Sequence, residues 1–215
     1  MLFSPKTWLV TALTVAILML SSCSQTSNPA GGNVATVQAS EPSNAAGPVT
    51  AKTAYGSMYK SAYKWAPDLV LLKLAPKDAA GLASGGGKAG AWEATFASPS
   101  KHEYRVFTYA IAAQPPDIIK GVSIGNGVPW GGVTRDVMPI QSSEFTVDSD
   151  AAYITAAADA AAWLKKSPDK KLSSFQLGNG YSFPTPVWYA MWGDKKAGYV
   201  AIVSATTGKV LNNKK

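Results

Sequence analysis

The apolar positions of this chain follow two different periods, and residues that favour turns mark each change between them. Residues 151–166 are rich in alanine, with Tyr153, Ile154, Ala157, Ala161 and Leu164 near helical spacing. Asp148, Ser149 or Asp150 offers an N-cap, Lys165 and Lys166 suit the negative end of the helix dipole, and Pro168 stops the helix. Residues 172–177 then read as a strand that ends at Gly178-Asn179-Gly180, and residues 186–192 and 197–205 read as a hairpin around Gly193-Asp194-Lys195-Lys196. An earlier stretch repeats this order: a helix over 53–65, a strand over 69–74, a glycine-rich loop at Gly85-Gly86-Gly87, and a hairpin of 91–97 with 104–112. Helices set against antiparallel strands predict an α+β fold.

The two stretches share landmarks as well as order. Trp92-Glu93-Ala94-Thr95-Phe96 and Trp188-Tyr189-Ala190-Met191-Trp192 both read Trp-x-Ala-x-aromatic, 96 residues apart. Tyr104-Arg105-Val106-Phe107 matches Tyr199-Val200-Ala201-Ile202 at 95, and Trp65, upstream of Pro67-Asp68, matches Trp163, upstream of Pro168-Asp169, at 98. A nearly constant offset over three landmarks is what internal duplication produces. The expected organisation is a first repeat over 51–113, a connector over 114–143 and a second repeat over 144–215.

The second repeat carries a family resemblance. Pro186-Val187-Trp188-Tyr189, a short charged turn, Tyr199-Val200-Ala201-Ile202-Val203 and Ala205-Thr206-Thr207-Gly208-Lys209-Val210-Leu211 resemble the C-terminal half of a PepSY-type domain, with Ser204-Ala205 where that family usually has Asp-Ala. The first repeat lacks the Thr-Gly-Lys turn. The resemblance implies two cystatin/PepSY-like repeats and a role in binding rather than chemistry, because domains of this type occur in protease propeptides and in bacterial envelope proteins. Gly208 would serve the turn through its freedom to take positive φ.

The start of the chain has a separate logic. Lys6 precedes an apolar run from Trp8 to Leu20, and Leu20-Ser21-Ser22 leads into Cys23, the single cysteine. The run is too short for a spanning helix, which needs about 20 apolar residues, and has the proportions of a signal peptide. Leu-Ser-Ser-Cys resembles the bacterial lipobox, which implies a signal peptide over 1–22 and acylation of Cys23. Several acyl chains, at about 0.8 kcal/mol per buried methylene, would hold the protein on a bilayer. The rest of 23–50 is mostly Ser, Thr, Asn, Ala, Gly and Pro with Glu41 as its one charge, the composition of a disordered tether. Ser24 after the cysteine resembles the Gram-negative sorting default, implying an outer-membrane anchor facing the periplasm.

Composition narrows the chemistry. With Cys23 lipidated, disulfides, thiolate catalysis and cysteine metal sites are excluded from the folded part. The formal charge of +7 comes mainly from scattered lysines, with Arg105 and Arg135 the two arginines, and no nucleic-acid motif accompanies it. His102 lies in Pro99-Ser100-Lys101-His102-Glu103, a polar turn, and the Gly125–Gly132 stretch lacks the Lys-Ser/Thr of a phosphate loop. Glu93, Glu103, Asp136 and Glu144 are the carboxylates a hydrolase would draw on, and they fall on different elements. No enzyme activity, cofactor or metal is therefore expected. The expected function is a membrane-anchored, non-enzymatic envelope binding module, for instance an inhibitor or folding modulator of an envelope protein. The alternative is a lipoprotein binding a small molecule or cell-wall ligand. Aromatic residues dominate binding surfaces, so Trp92, Trp130, Trp188 and Trp192 are the candidate partner contacts, with Trp130 either an exposed anchor or a plug over the joint between repeats.

Overall fold

The computed structural model describes residues 47–183 and 185–211. The expected signal peptide and Cys23 lie outside the described residues, as does most of the tether. Thr50, in extended conformation, precedes α1 (Ala51–Trp65), which is followed by β1 (Val70–Pro76), a small hairpin of β2 (Ser84–Gly85) and β3 (Lys88–Ala89), and the long hairpin of β4 (Ala91–Ser98) and β5 (Glu103–Ala110). The connector contributes β6 (Gly121–Ile124), β7 (Val128–Pro129) and a short 3-10 turn at Ser142–Glu144. Then come α2 (Ser149–Lys166), β8 (Leu172–Gly178), β9 (Val187–Trp192) and β10 (Tyr199–Ser204). A helix followed by three sheet strands thus occurs twice, and the fold is α+β.

All the strands except β2 and β3 form one antiparallel sheet in the order β10-β9-β8-β1-β4-β5-β6, with β7 also on β5. The two helix-and-strand runs meet at its middle, where β1 pairs with β8 through Lys73 opposite Gly178 and Leu74 opposite Leu177. Beyond these two pairs the strands diverge.

Period-two alternation decides which residues face the helices. Trp92, Ala94 and Phe96 on β4 and Trp188, Ala190 and Trp192 on β9 share one core with both helices. The helices meet these large side chains mainly with small ones: Ala51, Ala54 and Ala62 on α1, beside the larger Met58, and Ser149, Ala152, Ala156 and Ala160 on α2, all fully buried. Bulky rings on the sheet and alanines on the helix let the layers approach at native packing density. This corrects the expected apolar stripe of α2, since Ile154 is 67% exposed and Ala161 is also on the surface. Tyr153, Ala157 and Leu164 of that stripe do pack against the core, but Ala152, Ala156 and Ala160 form the centre of the inner face.

The two helix starts lie together and share their caps. Asp148, the N-cap of α2, accepts from Ser149 N at 2.7 Å and also from Lys52 N, in the first turn of α1, at 3.0 Å. The buried Ser149 hydroxyl accepts from Ala51 N at 2.8 Å. One Asp-Ser pair thus satisfies donors that both helices would otherwise leave orphaned. The glycine-rich loop is the tip of the β2–β3 hairpin: Gly86 and Gly87 have φ of +60° and +77°, and a Cβ on Gly87 would collide with the Ser149 carbonyl.

Candidate functional site

Three of the four tryptophans singled out from the sequence belong to the core. Trp92 and Trp188 are fully buried and Trp192 is 3% exposed, so none of the three presents a surface to a partner, which corrects their expected role. Burial also requires a partner for each indole N–H. Trp92 Nε1 donates to Val49 O and Trp188 Nε1 to Val147 O, each at 3.0 Å. Each tryptophan therefore fastens the segment just before a helix onto the strand beneath it. Phe175 stacks on Trp188 with ring centroids 4.9 Å apart.

Trp130 has a different setting. It is half-buried and follows β7 on the face of the sheet opposite the helices. Its backbone N–H donates to His102 O at 2.8 Å, in the exposed β4–β5 turn. From there the connector runs sideways to the β1–β8 joint, at the same end of the strands. Ile140 N donates to Leu71 O at 2.8 Å, Met138 N to Asn179 O at 3.0 Å, and Asn179 Nδ2 to Pro139 O at 2.8 Å. Tyr181 N donates to Arg135 O at 3.0 Å, and the Arg135 guanidinium sits 4.8 Å from the Tyr181 ring centroid. Residues 130–140 form a strap tied to the first run of strands at one end and to the β8–β9 loop at the other.

Beneath the strap is a cavity of about 650 Å³. Its floor is the open face of the sheet at the joint: Lys73 on β1, Thr95 on β4, Tyr104 on β5, Gln176 on β8 and Tyr189 on β9. Trp130, Thr134, Asp136 and Val137 of the strap, together with Leu72 and Asn179, add to the lining. Three aromatic rings from three elements thus meet two primary amides, two threonine hydroxyls, a carboxylate and an ammonium. Burial pushes the Tyr189 phenol up. A concave site of mixed aromatic and convergent polar lining is the usual form of a small-ligand site.

A second cavity of about 480 Å³ adjoins the first and shares Lys73 and Gln176 with it. It opens where β1 and β8 diverge, and the β2–β3 hairpin walls it. Lys73, Lys88 and Lys171 line it together with the carboxylate of Asp78. All four side chains belong to exposed residues.

The expected carboxylates do not converge. Lys77 pairs with Glu93 and Arg105 with Glu103, the Glu144 carboxylate accepts from Gln141 N at 3.2 Å, and only Asp136 lies at a cavity. Among the described residues, no group of three or more His, Cys, Asp or Glu is arranged to hold a metal ion, and no helix is long and apolar enough to cross a membrane.

Tyr104, Gln176 and Tyr189 were missed as site residues, although alternation carried a signal. With Trp188, Ala190 and Trp192 inward, Tyr189 must face the other side. The connector's path over that face had no such signal.

No family model and no curated protein matches the chain. The PepSY resemblance therefore stands on its quoted residues alone. Among solved structures, a protein from Clostridium difficile 630 described as a "putative lipoprotein" is similar at 12% identity, over 78% of this chain and 93% of that one, with a TM-score of 0.45. Likeness at this level assigns neither family nor function.

Proposed function

We propose that this chain is an envelope lipoprotein, acylated at Cys23 and tethered by the residues that follow, whose folded part binds a ligand without transforming it. The observation that carries the reading is the cavity beneath the strap, where Trp130, Tyr104 and Tyr189 gather with neutral hydrogen-bonding groups at the joint of the two strand runs. The ligand-binding alternative is preferred over docking of an envelope protein, because Trp92, Trp188 and Trp192 are committed to the core. Internal duplication fits the recurring helix and three strands and the matched hydrogen bonds of Trp92 and Trp188. In this reading both repeats are PepSY-like and the connector is the added element that makes the site. The lipobox-like start supports a bilayer as the first partner, and Ser24 supports the outer membrane.

A direct test uses the full chain in detergent micelles, labelled with fluorotryptophan and titrated with the small-molecule fraction of a cell-envelope extract. The Trp130 resonance, assigned through Trp130→Phe, should shift saturably while those of Trp92 and Trp188 stay fixed. An unmoved Trp130 resonance would overturn the cavity as a binding site.

A further inference from the structure

We infer that the ligand is an acidic sugar, whose ring occupies the aromatic cavity under the strap and whose anionic substituent reaches the lysines of the adjoining one. This rests on the reading of the first cavity as the binding site. A pyranose has weakly polar C–H faces and a rim of hydroxyls. Aromatic side chains cover such faces, while amides and hydroxyls serve the rim as both donors and acceptors. The cavity offers this combination: Trp130, Tyr104 and Tyr189 supply rings, and Gln176 and Thr95 supply neutral hydrogen-bonding groups from adjacent parts of one sheet face. A purely apolar ligand would leave those groups desolvated and unpaired, at about 1–3 kcal/mol each.

The acidic part follows from the second cavity. Three lysines against one carboxylate give its lining a formal charge of +2. The two cavities meet at Lys73 and Gln176, so a ligand can extend from one to the other without leaving the protein surface. A ring in the first cavity therefore directs a carboxylate or phosphate substituent toward Lys73, and a second sugar unit can extend the acidic group toward Lys88 and Lys171. The carboxylate of Asp136 at the far, strap side of the first cavity disfavours the reverse orientation.

Three probes test this on the labelled full chain: the disaccharide of N-acetylglucosamine and N-acetylmuramic acid, neutral diacetylchitobiose, and the apolar dye 1-N-phenylnaphthylamine. The acidic disaccharide should shift the Trp130 resonance and bind roughly tenfold more tightly than the neutral one, an advantage that shrinks with added salt. The exposed pair Lys88→Ala/Lys171→Ala should bring its affinity down toward that of the neutral sugar, and Trp130→Ala, followed by isothermal titration calorimetry, should abolish binding of both. Equal affinity for the two sugars, or an advantage indifferent to the lysine pair, overturns the acidic assignment. A dye that moves Trp130 where neither sugar does overturns the sugar class and leaves the cavity standing as a binding site. If no probe moves Trp130 and the envelope extract does not either, both readings fall.

Discussion

The two faces of the sheet use the same kinds of residue for opposite purposes. On the helix-covered face Trp92, Trp188 and Trp192 are sealed beneath alanine-lined helices, and the first two have their N–H groups paired. Tyr104 and Tyr189 on the other face are only partly covered, and Trp130 reaches them from a strap held by a few backbone hydrogen bonds. An aromatic residue thus contributes to stability where a complementary layer fits over it. Where the cover is a single irregular segment, part of the ring surface stays accessible to a ligand.

That contrast is open to direct attack. The largest expected effect is Trp188→Ala, which removes a fully buried ring, its stacking on Phe175 and the partner of Val147 O. It should cost about 3–5 kcal/mol in urea denaturation, whereas Trp130→Ala, at a half-buried site, should cost under about 1 kcal/mol. Similar losses for the two variants would dissolve the distinction between the faces.

Next in size is the shared cap beneath the helix-covered face. Asp148→Ala removes an acceptor used by the starts of both helices, and about 2 kcal/mol is expected from the same denaturation measurement. A loss of only a few tenths would mean that solvent replaces the cap and that the helix starts are not coupled through it.

The smallest effect concerns Asp68, which anchors the β4–β5 turn from which the strap departs. Its carboxylate accepts from the Ser98 hydroxyl and from Ser100 N, both at 2.7 Å, and the Ser100 and Ser98 hydrogen bonds lower it from 3.8 to about 2. Because the folded state holds the proton less tightly than the unfolded one, the stabilisation is complete above about pH 4 and is lost as pH falls toward 2. Asp68→Asn should flatten this part of the stability profile and leave the neutral region nearly parallel to the parent. An unchanged acid limb would show that the turn is held by other contacts.

Much of the architecture was legible because local signals agreed. The N-cap choice among Asp148, Ser149 and Asp150, the stop at Pro168 and the alternation along β4 and β9 placed the main elements to within a few residues. The inner face of α2 was not legible in the same way. Ile154 satisfies helical spacing as well as Ala156 does, and only the rings of the sheet beneath decide that the small residue belongs inside. The site divides similarly: Trp130 stood out as an aromatic residue in a glycine-rich segment, while Gln176 and Tyr104 gain their significance from elements far away in sequence.

By itself, the sequence determined the alternation of helix and strands, the doubled order of elements, the turns and the lipobox-like start, all of which depend on residues close together in the chain. Only the tertiary structure decided that the repeated tryptophans are core, that the connector crosses the open face as a strap, and that aromatic and basic cavities adjoin at the β1–β8 joint. Period and turn chemistry are local, whereas burial depends on which layer covers a side chain, and that layer is supplied by residues distant in the chain.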